Sequence, residues 1–137
     1  MAVLRDLILV VDLDKTLCTL KKENESYKDV KPIDDMVNIV NSLHNQNVPI
    51  IIETSRNMLT QNNDEAKAIK NVGLDTLEWL NKHVLYDGIK FGKTIGTCYI
   101  DDKALRPKEF IKIYNSLKDK NDLKELELQI KKYLEEN

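Results

Sequence analysis

The stretch that most limits how this chain folds is Leu7-Ile8-Leu9-Val10-Val11, five branched apolar residues in a row that run into Asp12-Leu13-Asp14. A run without polar alternation reads as a strand buried on both faces, the kind found in parallel sheets. Carboxylates at i and i+2 leave one face of such a strand. Anions that close repel, and a divalent cation is the usual remedy. Open parallel sheets place their ligands beyond the carboxyl ends of central strands. Residues 3–11 are therefore expected to form a first, central strand with a ligand site at its end.

The rest of the chain alternates strand-like and helix-like stretches. Residues 17–31 are polar and are predicted to be an excursion, a short flap over the site. Pro32 fits the first turn of a helix, and Ile33, Met36, Val37, Val40 and Leu43 recur at helical spacing, which predicts a helix over 33–46 closed by Asn45-Gln46-Asn47. Val48-Pro49-Ile50-Ile51-Ile52 reads as a second buried strand. Residues 57–72 are polar, with a helical turn expected around 64–69; Gly73 is expected to precede an amphipathic segment carrying Leu74, Leu77 and Leu80. His83–Asp87 is read as a short third strand and Thr97–Ile100 as a fourth. Pro107 opens a helix with a stripe of Phe110, Ile111, Tyr114 and Leu117, and a last helix covers about 122–135. Alternating units of this kind predict one α/β domain over 1–137, a three-layer α/β/α arrangement with a central parallel sheet.

Composition excludes several function classes. The net charge is −2 and no long basic block is present, so nucleic acid is not an expected partner. Two cysteines, Cys18 and Cys98, give no disulfide framework and read as packing residues. Arg5 and Asp6 interrupt any signal-peptide pattern, and no apolar run approaches membrane-spanning length. The expectation is a cytoplasmic protein that binds no membrane.

Polar groups close three of the expected strands: Asp12 and Asp14, then Thr54 and Ser55, then Asp101 and Asp102. Lys93 precedes the fourth strand. In a parallel sheet these carboxyl ends share one edge, gathering carboxylates, hydroxyls and a lysine in one cleft. That set suits phosphoryl transfer, where the protein supplies positioning and charge neutralisation. Hard oxygen ligands favour Mg²⁺. Arg56 has two readings, binding substrate or capping local carbonyls. Gly92-Lys93-Thr94 is not a nucleotide-triphosphate loop, because that motif needs glycine where Asp87 stands.

Asp12-x-Asp14-x-Thr16, Thr54, Lys93 and Asp101-Asp102, in this order, resemble the haloacid-dehalogenase superfamily of phosphohydrolases. The resemblance implies a Rossmann-like fold of that superfamily, without a cap domain. It also implies Asp12 as nucleophile, Asp14 as acid and then base, Thr54 on a phosphoryl oxygen and Lys93 on the nucleophile and transferring group. Mg²⁺ would take Asp12, the Asp14 carbonyl and an acidic residue at 101–102, with Asp102 favoured as direct ligand. Arg106 stands where many members have a further aspartate. Thr54–Met58, Trp79–His83, Tyr86-Asp87, Phe91-Gly92-Lys93 and Tyr99–Pro107 further resemble small phosphatases found with capsular polysaccharide biosynthesis genes. That likeness implies a sugar or polyol phosphate substrate, with Thr54, Ser55, Arg56 and Lys93 contacting it. It also leaves room for a homo-oligomer in which a neighbouring subunit closes the site. Two rival readings stand beside it. One is a phosphatase of a polynucleotide end or phosphoprotein; the other is a phosphoacceptor switch or non-catalytic binding module on the same fold.

Overall fold

A computed structural model describes residues 7–137. The amino-terminal part of the expected first strand, residues 3–6, lies outside these described residues, as do Arg5 and Asp6. In chain order the elements are β1 (Leu9–Val11), α1 (Asp34–Asn45), β2 (Ile50–Glu53), α2 (Glu65–His83), β3 (Gly88–Lys90), α3 (Pro107–Ser116) and α4 (Leu123–Glu136). The three strands form one parallel sheet in the order β1-β2-β3, with Val10 beside Ile51 and Ile52 beside Ile89. An α/β architecture with a parallel sheet is thus what forms.

Apolar periodicity explains the first half. Met36, Val37, Ile39, Val40 and Leu43 are the buried residues of α1, and they pack with Ile50, Ile52, Leu13 and Leu17 in one hydrophobic cluster. Asn47 ends this unit with φ 66°, a left-handed conformation that asparagine tolerates, and Val48 N–H bonds Leu43 O at 3.1 Å. Pro32 precedes the helix rather than opening it, since Ile33 is the residue that flanks its first turn.

The second half departs from expectation in four places. First, α2 is one helix of 19 residues, not a turn followed by a segment after Gly73. Asn57, Asn62 and Asn63 take up the turns before it at positive φ, and the Asp64 side chain accepts from Lys67 N–H to cap it. A mid-helix glycine costs only about 1 kcal/mol against alanine. That is offset because Val72, Thr76, Trp79 and Leu80 lie buried along the same helix. Second, the third strand falls at Gly88–Lys90 instead of 83–87. The helix runs to His83, and Asp87 Oδ2 is occupied by Ile50 N–H at 2.8 Å.

Third, no fourth strand forms at Thr97–Ile100. Residues 96–104 are all exposed, and Ile100 is 98% accessible. Cys98, expected inside that strand, is exposed too. Fourth, β1 is consequently an edge strand and not a central one. Val11 is buried, but Ile8 and Val10, which share the opposite face by alternation, are 55% and 62% exposed. The helical layer expected on that face does not cover them.

The carboxyl-terminal helices match the sequence reading closely. Pro107 occupies the first turn of α3, and Arg106 N–H bonds Glu109 Oε1 at 2.8 Å. Phe110 and Tyr114 bury against the core beside α1, and Leu126 anchors α4. Among the described residues no helix is long and apolar enough to cross a membrane.

Candidate active site

The chain turns sharply as it leaves β1. Lys15 adopts φ 65°, a left-handed conformation that costs a non-glycine residue about 1 kcal/mol or more. The turn is held by Leu17 N–H to Leu13 O at 2.8 Å and Lys15 N–H to Cys18 O at 2.8 Å. Leu13 and Leu17 are fully buried, so the intervening polar residues stand at the rim of the sheet. From there residues 20–30 form an excursion whose base is tied by Thr19 N–H to Lys31 O, 2.9 Å, and Lys31 N–H to the Thr19 hydroxyl, 3.0 Å. Val30 is buried beneath it, its carbonyl accepting from Trp79 Nε1 at 2.8 Å. The stretch read from the sequence as a flap is a looped segment tied at its base and again by Lys28, whose Nζ lies 3.3 Å from Glu78 Oε2.

Asp12 sits at the carboxyl end of β1, with its side chain 39% exposed and Oδ1 4.0 Å from Lys93 Nζ. Burial pushes its carboxyl above the usual aspartate value, Lys93 and the Leu13 N–H oppose that push, and Asp14 and Glu53 add to it. Lys93 is aimed here by the turn before it. Gly92 has φ 83°, a Cβ on it would lie 2.5 Å from Glu65 Cδ, and Lys93 N–H bonds Thr54 O at 3.1 Å. The lysine also lies 4.5 Å from the Tyr99 ring.

Asp14 has a different environment. Arg56 grips it with two bonds, Nη2 to Oδ1 at 2.7 Å and Nε to Oδ2 at 3.1 Å. The arginine side chain is fully buried. It also donates to Thr76 Oγ1 at 3.0 Å, lies 3.5 Å from Cys18 Sγ, and stacks under the Tyr27 ring at 4.0 Å. Arg56 is thus turned onto Asp14, a contact that the sequence reading did not name. Cys18 donates to Asp14 Oδ1 at 3.4 Å, and burial followed by the Asp14 charge pushes its thiol up to about 12. It is a packing residue, as read from the sequence.

Thr54 is buried, and its hydroxyl accepts from Arg56 N–H at 3.0 Å. A hydroxyl that accepts still has a proton to donate, so Thr54 retains one bond to offer. Ser55 is half-buried, its carbonyl accepting from Met58 N–H at 2.9 Å. The structure therefore gathers Asp12, Asp14, Thr54, Arg56 and Lys93 at one rim. Glu53, Tyr27 and Thr76 join them unanticipated. Glu53 was legible as the polar end of β2, whereas nothing in sequence ties Tyr27 or Thr76 to Arg56.

Asp101 and Asp102 are not brought to this rim. Both are exposed, and Asp101 Oδ1 accepts from Lys103 N–H at 2.8 Å in a local turn. The expected Mg²⁺ set consequently does not assemble within one chain. Among the described residues no group of three or more His, Cys, Asp or Glu side chains is placed to hold a metal ion. The reason is the missing fourth strand that was to carry them. Two surface depressions, one lined by Asp35, Asn38, Ile39, Tyr114 and Asn115 and the other by Glu109, Lys112, Ile113, Ser116 and Tyr133, include none of the rim residues.

No protein-family model and no curated protein matches the chain. Among solved structures, a structural-genomics target from Vibrio cholerae is similar to it, with 34% sequence identity and a TM-score of 0.75, over 93% of this chain and 98% of that one. Likeness at that identity over nearly the whole of both chains extends beyond shared architecture. This chain belongs to the same family as that Vibrio cholerae protein.

Proposed function

We propose that the protein is a phosphomonoester hydrolase of the haloacid-dehalogenase type, acting through an aspartyl-phosphate on Asp12. The substrate we favour is a small phosphorylated metabolite, a sugar or polyol phosphate on a surface-polysaccharide route. The observation that carries this reading is the Asp12–Lys93 pair, a partly exposed carboxylate with a lysine 4.0 Å away at the carboxyl rim of a parallel sheet. An Asp12 oxygen attacks phosphorus, and the bond from phosphorus to the ester oxygen breaks. The leaving oxygen takes a proton from Asp14. Water then attacks phosphorus, gives its proton to Asp14, and releases inorganic phosphate by breaking the bond to Asp12. Lys93 offsets the negative charge gathered on the transferring group, and the Thr54 hydroxyl donates to one of its oxygens. For Asp14 to carry protons, the Arg56 fork must release one carboxylate oxygen, since both accept bonds in this structure.

Among the described residues no group of three or more His, Cys, Asp or Glu side chains is placed to hold Mg²⁺, and no step above is routed through a metal. The test is hydrolysis of a generic aryl phosphate and a panel of phosphorylated metabolites, with and without Mg²⁺, by the wild type and Asp12→Asn. Loss of turnover in the variant with an unchanged circular-dichroism spectrum is expected. Full activity in Asp12→Asn, or activity on an oligonucleotide alone, overturns the assignment.

A second reading has one observation in its favour. With both Asp14 oxygens held by Arg56, a phosphorylated Asp12 has no free base to turn it over, as in a phosphoacceptor switch. A phospho-Asp12 that survives for hours would select it.

A further inference from the structure

An unpaired strand edge and an unpaired strand-like segment occur in the same chain. β1 pairs with β2 on one side only. Leu9 N–H bonds Pro49 O at 3.0 Å, so by the alternation of a parallel ladder the N–H and C=O of Val10 face the free side. Beside that edge Ile8 and Val10 expose apolar side chains. An edge left open like this is a template for another strand. The candidate strand is Thr97-Cys98-Tyr99-Ile100, exposed throughout, with Ile100 98% accessible and Asp101-Asp102 at its end.

The segment cannot fill its own chain's edge in a useful direction. Lys93 is tied to Thr54, just past the carboxyl end of β2. Only residues 94–96 separate it from Thr97. A parallel placement beside β1 requires the chain to return to the amino end of the sheet and pass round β1. Parallel crossovers take about a dozen residues or more. The four steps from Lys93 to Thr97 reach roughly 13–14 Å even when fully extended. An antiparallel placement is within reach, but it would carry Asp101 and Asp102 to the amino end of β1, away from Asp12. At the far end the segment is held again, by Leu105 packed on the core and by the start of α3 at Pro107. Residues 96–104 therefore form an exposed arm anchored at both ends, with Tyr99 turned back onto its base, its hydroxyl donating to Thr94 O at 2.8 Å and its ring 4.5 Å from Lys93 Nζ; pairing with another strand has to release that turn.

We infer that this arm belongs to a second copy of the chain: residues 97–100 of one protomer add as a parallel strand to the β1 edge of another, setting Asp101 and Asp102 beside that protomer's Asp12. A two-fold arrangement satisfies both arms and both edges with one kind of contact. It pairs the free N–H and C=O of Val10 and makes β1 an interior strand, the position its sequence implies. It also unites the acidic residues that one chain keeps apart, completing an oxygen-rich pocket of the kind Mg²⁺ favours. The strand exchange stands on the edge and the arm alone; only the role of the composite pocket rests on the hydrolase reading.

The test begins with the intact protein. Sedimentation equilibrium should give a dimer or a multiple of one, and Ile100→Asp should shift it toward monomer with the helical spectrum retained. A photoreactive benzophenone side chain in place of Ile100, in a mixture of isotopically light and heavy chains, should cross-link to residues 7–11 of the other isotope. Mixing Asp12→Asn with the double variant Asp101→Asn/Asp102→Asn, each inactive alone, should restore about a quarter of wild-type turnover: half the dimers are mixed, and one of two sites in each is intact. A monomeric wild type, cross-links confined to one chain, or no restoration on mixing while the wild type turns over, overturns the inference. Inter-chain cross-links in a protein that hydrolyses no phosphate uphold the exchange and sink the hydrolase reading instead.

Discussion

Replacing Arg56 by alanine should cost this protein more than any other change at the rim. The guanidinium is fully buried, and its loss removes contacts to four groups at once, Asp14, Thr76, Cys18 and the Tyr27 ring. Asp14 loses both charge-assisted bonds, at 2.7 and 3.1 Å. Removing one partner of a buried pair costs about 3–5 kcal/mol. Asp14 is 24% exposed, so water recovers part of its solvation and the lower end applies. Thr76 loses the Arg56 donor but keeps its own bond to Val72 O at 2.7 Å, a loss nearer 1 kcal/mol. The Tyr27 stack adds about 0.5–1 kcal/mol. These contributions overlap, and a total near 4 kcal/mol is expected, out of the roughly 5–15 kcal/mol typical of a domain. For a chain of this size that lowers Tm by about 10–15 °C. Urea melts followed by circular dichroism measure it. Arg56→Lys should recover little, because an ammonium cannot reproduce the fork to Asp14 together with the bond to Thr76. A double-mutant cycle with Asp14→Asn should return a coupling of about 2 kcal/mol or more. A loss under about 1 kcal/mol, or full rescue by lysine, refutes the view that Arg56 braces Asp14.

Two further predictions concern the other side of the rim. Burial raises the Asp12 carboxyl above 3.8, so the folded chain holds this proton more tightly than the unfolded chain does. Above that value the unfolded state ionises more readily, and the Asp12 charge subtracts stability as pH rises through the interval. Asp12→Asn should therefore raise the urea midpoint slightly at pH 7, by an amount that shrinks toward pH 4; a loss of stability at pH 7 would contradict this. Gly92→Ala should destabilise by about 1–2 kcal/mol through its positive φ and should weaken turnover by redirecting Lys93. Adding Glu65→Ala removes the contact near the new Cβ but not the backbone strain, so most of the loss should persist in a thermal melt; full recovery would place the cost in the side-chain clash.

The parts of the fold legible in the sequence were those with local causes. Apolar spacing located α1, α3 and α4 to within a residue or two, and Pro107 marked the start of α3. Asp12, Asp14 and Thr54 converge because each follows the carboxyl end of a strand in one parallel sheet, a consequence of topology that alternation predicts; Lys93, expected ahead of a fourth strand, reaches the same rim because it follows the carboxyl end of β3 at Gly88–Lys90. The failures have non-local causes. The helix over 65–83 was split because its polar first turns and Gly73 hide a continuous buried face. The Arg56–Asp14 fork was not foreseen because the two residues lie 42 positions apart in sequence. Thr97–Ile100 has the composition of a strand, yet its own chain cannot bring it parallel to β1. Leu7–Val11 reads as interior, yet in one chain it is an edge. Both discrepancies are non-local: whether each stretch is paired depends on what lies beside it in space, which local composition does not encode.

The most direct test of the chemistry is to look for phosphate on Asp12 itself. An Asp14→Asn protein incubated with an aryl phosphate and quenched in borohydride would carry homoserine at position 12 if an acyl phosphate had formed there. Peptide mass spectrometry should find that conversion at Asp12 and at no other carboxylate. An unmodified Asp12 in a protein whose wild type hydrolyses the same ester would contradict the account.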